Sequence, residues 1–430
     1  MKLLIKNGRI IDPATNSDKV QDILIHNEKI VNIQPEINEE ADKVINAKGH
    51  WVVPGLIDLH VHLRDPGFEH KETIKTGCES AAKGGFTTIC CMPNTKPVTD
   101  TVELVEYINE KSKKEGIVNV LPIGSVTKGQ TGEELIEIDE MVKAGICAIS
   151  EDGKTVIKSN LLKEAMKQAK TCEIPVFSHC EDTNLVQGGA MNEGKRSKEL
   201  GIKGIGNDSE DVIIARDIIL ARNTGVKLHI CHVSTKGGVD LIREAKARGE
   251  NISAEVCPHH FTLTDEVVER DFTNAKMNPP LRNTKDVEAI KQGLKDGTIG
   301  IIATDHAPHS KDEKDAEFHK APFGIVGLET ALPLGITELV ETGLLNPMEF
   351  IEKMTINPAK IIGIEKGSLG VGKDADITII DPNLEYEIDI NNFASKSKNS
   401  PFHSRKVKGK VLYTIVGGKL VVEDGELKTK

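Results

Sequence analysis

The most regular pattern in the chain is PGLIDLHVHLRDPG, Pro54 to Gly67, where Ile57, Leu59, Val61 and Leu63 alternate with Asp58, His60, His62 and Arg64. A two-residue period predicts a β-strand that is apolar on one side and polar on the other, so the two imidazoles point the same way. Further apolar runs of strand length follow in FTTICCMPN, VNVLPIGSV, GICAISEDG, IPVFSHCED, VKLHICHVS, NISAEVCPH and IGIIATDHAPH. Between several of them lie amphipathic helix patterns, such as TDTVELVEYINEKSKKEG and GGVDLIREAKARG. Strand and helix alternate from about 54 to 363. That predicts a parallel sheet with crossover helices, and eight strands is the number that closes a (β/α)8 TIM barrel. Both ends of the chain read differently. Residues 1–53 are short alternating strands with turns expected at Asn7-Gly8 and Asn27-Glu28, and 364–430 repeat the pattern in DADITIID, KVLYTIV and KLVVEDG, broken at Gly417-Gly418. Neither end can bury a core alone, so 1–53 and 364–430 are predicted to pack together as a small β-sandwich beside a barrel spanning 54–363.

Composition narrows the partners. The net charge is -11 and no long basic run offsets it, which argues against nucleic acid or an anionic membrane and for a small-molecule substrate. The eight cysteines form no paired CxxC ladder, and most sit in apolar runs such as TTICCM, as buried thiols in a reducing cytosol would. MKLLIKNGRI lacks the apolar core of a signal peptide, and no run approaches the roughly 18 apolar residues of a membrane span. A cytoplasmic protein is expected.

Polar residues gather where the apolar runs end: His62 and Arg64, Asn94, Asp152, His179 and Glu181, His232, His259 and His260, Asp305 and His309. In a barrel these positions line the C-terminal mouth, where active sites form. A lone HxH is more often a solvated strand face than a metal site. Here it is joined by Asp152, His179, His232 and Asp305, and six donors exceed what one tetrahedral zinc accepts. Two ions sharing a carboxylate fit better, and imidazole favours zinc. His60, His62 and Asp305 would hold one ion, His179 and His232 the other, and Asp152 would bridge them.

Several long motifs carry a family resemblance: DLHVHLRDPG at 58–67, CMPNTKP at 91–97, MNPPLR at 277–282, ATDHAPHSKDEK at 303–314 and KAPFGIVGLET at 320–330. Over essentially its whole length the chain resembles the amidohydrolase superfamily, and within it the bacterial dihydroorotases whose two Zn2+ ions are bridged by an aspartate. The resemblance implies ligation by His60, His62, His179, His232 and Asp305. It assigns the bridge to Asp152, where hydantoinases and allantoinases use a carbamylated lysine, with Lys154 as the alternative. It also implies that Asp305 is both ligand and proton shuttle. The substrate would meet His62, Arg64, Asn94, Asn278, His309 and the Phe323-Gly324 backbone. Arg64 suits a ring carboxylate, because its planar fork matches that anion. The expected reaction is the interconversion of N-carbamoyl-L-aspartate and dihydroorotate by a homodimer. An allantoinase or hydantoinase is the rival enzyme, and a scaffold for aspartate transcarbamoylase the rival of another class. Asp58 is read as a partner orienting an imidazole and His229 as packed. His259 and His260 are unassigned, and HSRKVKG at 403–409 is expected to be remote from the site.

Overall fold

The structure is a computed structural model that describes residues 2–428. Each of the eight strand candidates forms a strand: Leu56–Val61, Phe86–Cys91, Asn119–Pro122, Ile149–Ser150, Val176–Ser178, Leu228–Ile230, Ile252–Val256 and Ile301–Ile302. All pair in parallel, the first three in one sheet and the other five in a second. Isolated parallel bridges lie at both seams, Gly124 with Ile149 and Val61 with His306. The two patterned helices form as Val102–Glu115 and Lys236–Ala247. The second begins where the Thr235 hydroxyl accepts from Gly238 N, and it buries Val239, Ile242 and Ala245 along one stripe.

The first strand departs from the expected half-polar ribbon, because all six of its residues are buried. Its apolar side chains divide between two cores. Ile57 and Leu59 belong to a cluster with Cys90, Phe177, Cys231 and Ile301, whereas Val61 and Leu63 belong to one with Ile74, Cys78 and Ala81 of helix Ile74–Lys83. The facing therefore switches between Leu59 and Val61, where the register with the neighbouring strand also slips. Such an irregularity re-aims side chains at the end of a strand.

Strands from both termini form a sheet, as expected, but it is one continuous nine-stranded sheet in place of two hydrogen-bonded layers. Trp51–Pro54 joins the halves by pairing antiparallel with Ile377–Ile380. The sheet folds over, so that Ala375 N donates to Glu28 O and Gly418 N to Ala375 O. Turns form at Asn27-Glu28 and Gly417-Gly418. Asn7-Gly8 is not a turn. It is a bulge inside Lys2–Asp12, with Asn7 at φ 62 and its N–H donated to Asp22 Oδ1.

The C-terminal part does not stay in the sheet. Between Ile377–Glu387 and Lys406–Val416 the chain returns to the central unit, where Ile388, Phe402 and Val407 share a core with Met277, Phe318 and Ile325. HSRKVKG contributes Val407 to that core, and none of its residues lines the candidate site. Among the described residues no helix is long and apolar enough to cross a membrane, and all eight cysteines are free.

Candidate metal centre and substrate cavity

Asp152 stands at the centre of the predicted ligands. Its Oδ1 lies 3.2 Å from His60 Nε2, 3.5 Å from His179 Nδ1 and 3.6 Å from His232 Nε2, and its Oδ2 lies 3.4 Å from His62 Nε2. One carboxylate faces four imidazoles. Asp305 Oδ1 lies 3.0 Å from His62 Nε2 and 3.6 Å from His60 Nε2, and His179 Nδ1 is 2.9 Å from His232 Nε2. Burial alone would raise both aspartyl groups. The surrounding histidines instead hold both well below the usual carboxylate range.

These donors fit a pair of divalent cations. His60 Nε2 and Asp152 Oδ1 are buried atoms without a hydrogen-bond partner, an arrangement that costs stability unless a cation satisfies their lone pairs. The tautomers are set from behind: His60 Nδ1–H donates to Glu255 Oε1 at 2.7 Å and His62 Nδ1–H to Asn94 Oδ1 at 2.8 Å. That leaves each Nε2 lone pair aimed at the aspartates. Two donor sets have their ligand atoms within 4.8 Å of one another, His60 with His62 and Asp305, and His60 with Asp152 and His232. Lys154 points elsewhere, donating to Gln130 O at 2.8 Å. Arg64, His232 and Asp305 have φ of 61, 34 and 47. Non-glycine residues in this region cost about 1–3 kcal/mol each, and such strain concentrates at functional sites.

Asp58 does not orient an imidazole; its carboxylate accepts the backbone N–H groups of His60 and Thr304. Glu255 has that place. It accepts from His60 and, through Oε2, from His229 Nε2 at 2.9 Å, and these histidines hold its carboxyl down to about 2 against the effect of burial. The signal for it was present, an acid within the apolar strand NISAEVCPH. His229 is packed, its other nitrogen 2.9 Å from Ser253 Oγ. His259 and His260 are buried and do not line the cavity, and His260 Nε2–H donates to Pro279 O at 3.0 Å.

Above the donors lies a cavity of about 230 Å³, lined by His62, Arg64, Asn94, Asp152, Gly153, His179, His232, Asn278, Asp305, Ala307, His309, Phe323 and Gly324. Every predicted site residue except the deeper His60 reaches it. Arg64 Nε donates to Pro308 O at 3.2 Å, and no carboxylate among the described residues forms an ion pair with its guanidinium. Burial pushes that guanidinium down to about 10, against the pull of Asp305 and Asp152. His309 is neutral: burial, and then the charges of Arg64, Lys71 and Lys314, hold it well below the usual range. Its Nε2–H donates to Phe323 O at 2.8 Å and its Nδ1 accepts from Lys71 Nζ at 3.3 Å. Asn278 Nδ2 donates to Glu181 Oε1 at 2.9 Å. Gly324 has φ 129, and a Cβ there would come within 2.7 Å of the Ala307 Cβ. Its N–H is spent on Lys276 O and its carbonyl on Lys314 Nζ and Asn399 Nδ2, each at 3.0 Å. Lys71, Lys276 and Asn399 were not anticipated, since nothing local in the sequence distinguishes them from surface residues, and Lys314, although it closes the motif ATDHAPHSKDEK, had no role assigned to it.

Comparison with known proteins agrees with this geometry. A dihydro-orotase-like family model matches residues 49–238, and an amidohydrolase family model matches 226–422. The dihydroorotase of Acetivibrio thermocellus is 54% identical over 422 residues, 98% of this chain and 99% of the relative. That of Pelotomaculum thermopropionicum is 53% identical over 424 residues, 99% of each chain. Among solved structures, the L-hydantoinase (dihydropyrimidinase) of Arthrobacter aurescens superposes with a TM-score of 0.90 at 28% identity, covering 100% of this chain and 97% of that one. Identity above one half along nearly the whole length places the chain in the dihydroorotase family of the amidohydrolases.

Proposed function

We propose that the chain is a dihydroorotase, interconverting N-carbamoyl-L-aspartate and (S)-dihydroorotate plus water in pyrimidine synthesis in the cytoplasm. The observation that carries this reading is Arg64, a guanidinium that opens on the cavity beside the donor cluster without a carboxylate partner of its own. A desolvated, unpaired cation is costly, and an anionic substrate group offsets that cost. Dihydroorotate brings a carboxylate on its ring; hydantoin and allantoin do not. In this reading the eight strands close as a (β/α)8 barrel over 54–363, supported by the bridges at both seams, with 1–53 and 364–430 as the second domain.

Two Zn2+ ions would be held by His60, His62 and Asp305 and by His179 and His232, with Asp152 shared between them. Bound there, the ions supply Lewis acidity toward a carbonyl and toward water. The chain's own residues do the rest. Arg64 grips the ring carboxylate bidentately, and Asn94, Asn278 and the Phe323 backbone orient the ring amides. Neutral His309 braces the Phe323 carbonyl beside the arginine. Asp305, whose Oδ1 lies 3.0 Å from His62 Nε2 at the floor of the cavity, accepts a proton from the attacking water and returns it to the departing ring nitrogen.

The test pairs metal analysis with a spectrophotometric assay of dihydroorotate hydrolysis, run beside hydantoin and allantoin. The expected result is two zinc ions per chain and turnover of dihydroorotate far above that of the uncharged rings. Preference for the uncharged rings would make the site a hydantoinase site.

A further inference from the structure

The site's outer wall is tied down by a piece of chain from the other end of the sequence. Residues 394–400 leave the terminal sheet and lie across two loops that enter the cavity, the one after the first parallel strand and the one after the eighth. Toward the first loop, Ser395 Oγ donates to Glu72 Oε2 at 2.5 Å, Lys396 N to Glu72 Oε1 at 3.0 Å and Ser397 Oγ to Lys71 O at 2.6 Å. Toward the other loop, Asn399 engages both ends of its side-chain amide. Its Oδ1 accepts His309 N–H at 3.1 Å, while its Nδ2 donates to Ala307 O at 3.1 Å and to Gly324 O at 3.0 Å. Its backbone carbonyl also accepts Val326 N–H at 2.9 Å. Asn399 is 5% exposed, so water does not replace these bonds.

We propose that Asn399 is a positioning residue for substrate binding, holding His309 and the Phe323-Gly324 segment at the distance that Arg64 and the ring require. The geometry excludes a direct role, since Asn399 does not line the cavity. An amide is the group this place needs, because one end must accept an N–H while the other donates to two carbonyls. The residue joins two lengths of backbone that carry substrate-facing groups, 307–309 and 323–324, and it touches none of the metal-binding side chains. Its removal therefore loosens the wall and leaves the floor intact. The kinetic part of this proposal rests on the dihydroorotase reading; the structural part does not.

The test compares Asn399→Ala, Asn399→Asp and Ser397→Ala with the wild-type protein in its metal-loaded form. Asn399→Ala is expected to raise KM for dihydroorotate at least tenfold with kcat within threefold and metal content unchanged. Asn399→Asp keeps the acceptor but sets a carboxylate oxygen against two carbonyls, so its KM is expected to rise further. Ser397→Ala loosens the same segment from the Lys71 side and is expected to raise KM about threefold, which keeps the proposal testable should the Asn399 variants fail to fold. Hydrogen exchange supplies a readout that needs no substrate: amides of 306–326 should exchange at least tenfold faster in the variants, with those of 56–62 and 228–232 unchanged. Unchanged exchange in 306–326, or metal lost in step with activity, overturns the proposal. A wild-type protein inactive on dihydroorotate, yet with the expected exchange pattern, would overturn the dihydroorotase reading and leave the positioning role standing.

Discussion

The floor and the wall of the cavity are built by different means. On the floor, His60, His62, Asp152, His179, His232 and Asp305 stand at or just beyond the ends of parallel strands, so the sheet ladder sets their spacing to within the tolerance of a strand. Their remaining freedom is removed by charged or polar partners behind them, Glu255 for His60 and Asn94 for His62. The wall is loop. Arg64, Asn278, His309, Phe323 and Gly324 have no ladder to hold them, and their backbone is fixed by side chains that donate to carbonyls. Lys276 Nζ donates to Phe318 O and Ala321 O, Lys314 Nζ to Pro322 O and Gly324 O, and Asn399 Nδ2 to Ala307 O and Gly324 O. The lesson is a division of labour. A rigid strand suits a metal centre, where small displacements lose a ligand, and a loop pinned from outside suits a substrate surface that must admit and release a ring.

The comparison breaks most severely at Asp152. With the shared anion gone, two cations a few ångströms apart repel each other, so Asp152→Ala should lose one or both ions. In the proposed two-metal site the ions would contribute several kcal/mol to catalysis, so activity should fall by about 10³-fold. Metal analysis beside the assay checks this, and two ions retained by the variant would remove Asp152 from its central place.

A sharper cut separates the floor from its support. Glu255→Gln leaves all six donors in place but weakens the acceptor of His60, and such partners are worth about 10–100-fold in metal affinity or activity. Chelator competition should show weaker metal binding, with KM unchanged once metal is saturating. A change confined to KM would mean that Glu255 serves the wall.

Arg64→Lys asks the opposite question. The charge stays but the bidentate geometry goes, at about 2 kcal/mol or roughly 30-fold in kcat/KM for dihydroorotate. Metal content should not change, and an uncharged cyclic imide should lose less than about threefold. Equal losses on the two substrates would show that Arg64 shapes the site and does not select the substrate.

The smallest effect on activity is expected at Glu329, whose Oε1 accepts Ala394 N, Ser395 N and Ser80 Oγ and so anchors the segment that holds the wall. Burial raises its carboxyl to about 7. A folded-state value above the unfolded 4.5 means that its stabilising contribution is full below about pH 4.5 and is lost as pH rises through 7. Glu329→Gln keeps the accepting oxygen and removes the ionisation. It should be more stable than the wild type at pH 8 by up to about 3 kcal/mol, with little of that difference left at pH 5. Urea denaturation at the two pH values measures this. A difference that does not depend on pH would mean that the carboxyl is ionised in the folded protein throughout.

Much of the floor was legible. His60 and His62 two residues apart, and polar residues ending apolar strands, mark all six as candidate ligands, although the same pattern also marks Glu181, His259, His260 and His309. Much of the wall's support was not. Asn399 reads as one polar residue in KSKNS, yet it meets His309 from 90 positions away, and Ser395 meets Glu72 across 323. Asn7-Gly8 has the composition of a hairpin turn, and Asp22 in the neighbouring strand makes it a bulge instead.

The sequence by itself determined the order of elements, the strand ends that carry chemistry and the residue types that stand there, because hydrophobic period and residue chemistry are local properties of the chain. It also determined that both termini would build one unit. Tertiary structure alone decided the switch of facing at Leu59, which turns His60 toward Asp152 over a plug of apolar side chains, and it alone chose Glu255 over Asp58 as the imidazole's partner. It also brought residues 394–400 back to the cavity. These outcomes depend on which distant backbone approaches a given side chain. A buried polar atom takes whatever partner the fold supplies, and the local pattern does not record which one arrives.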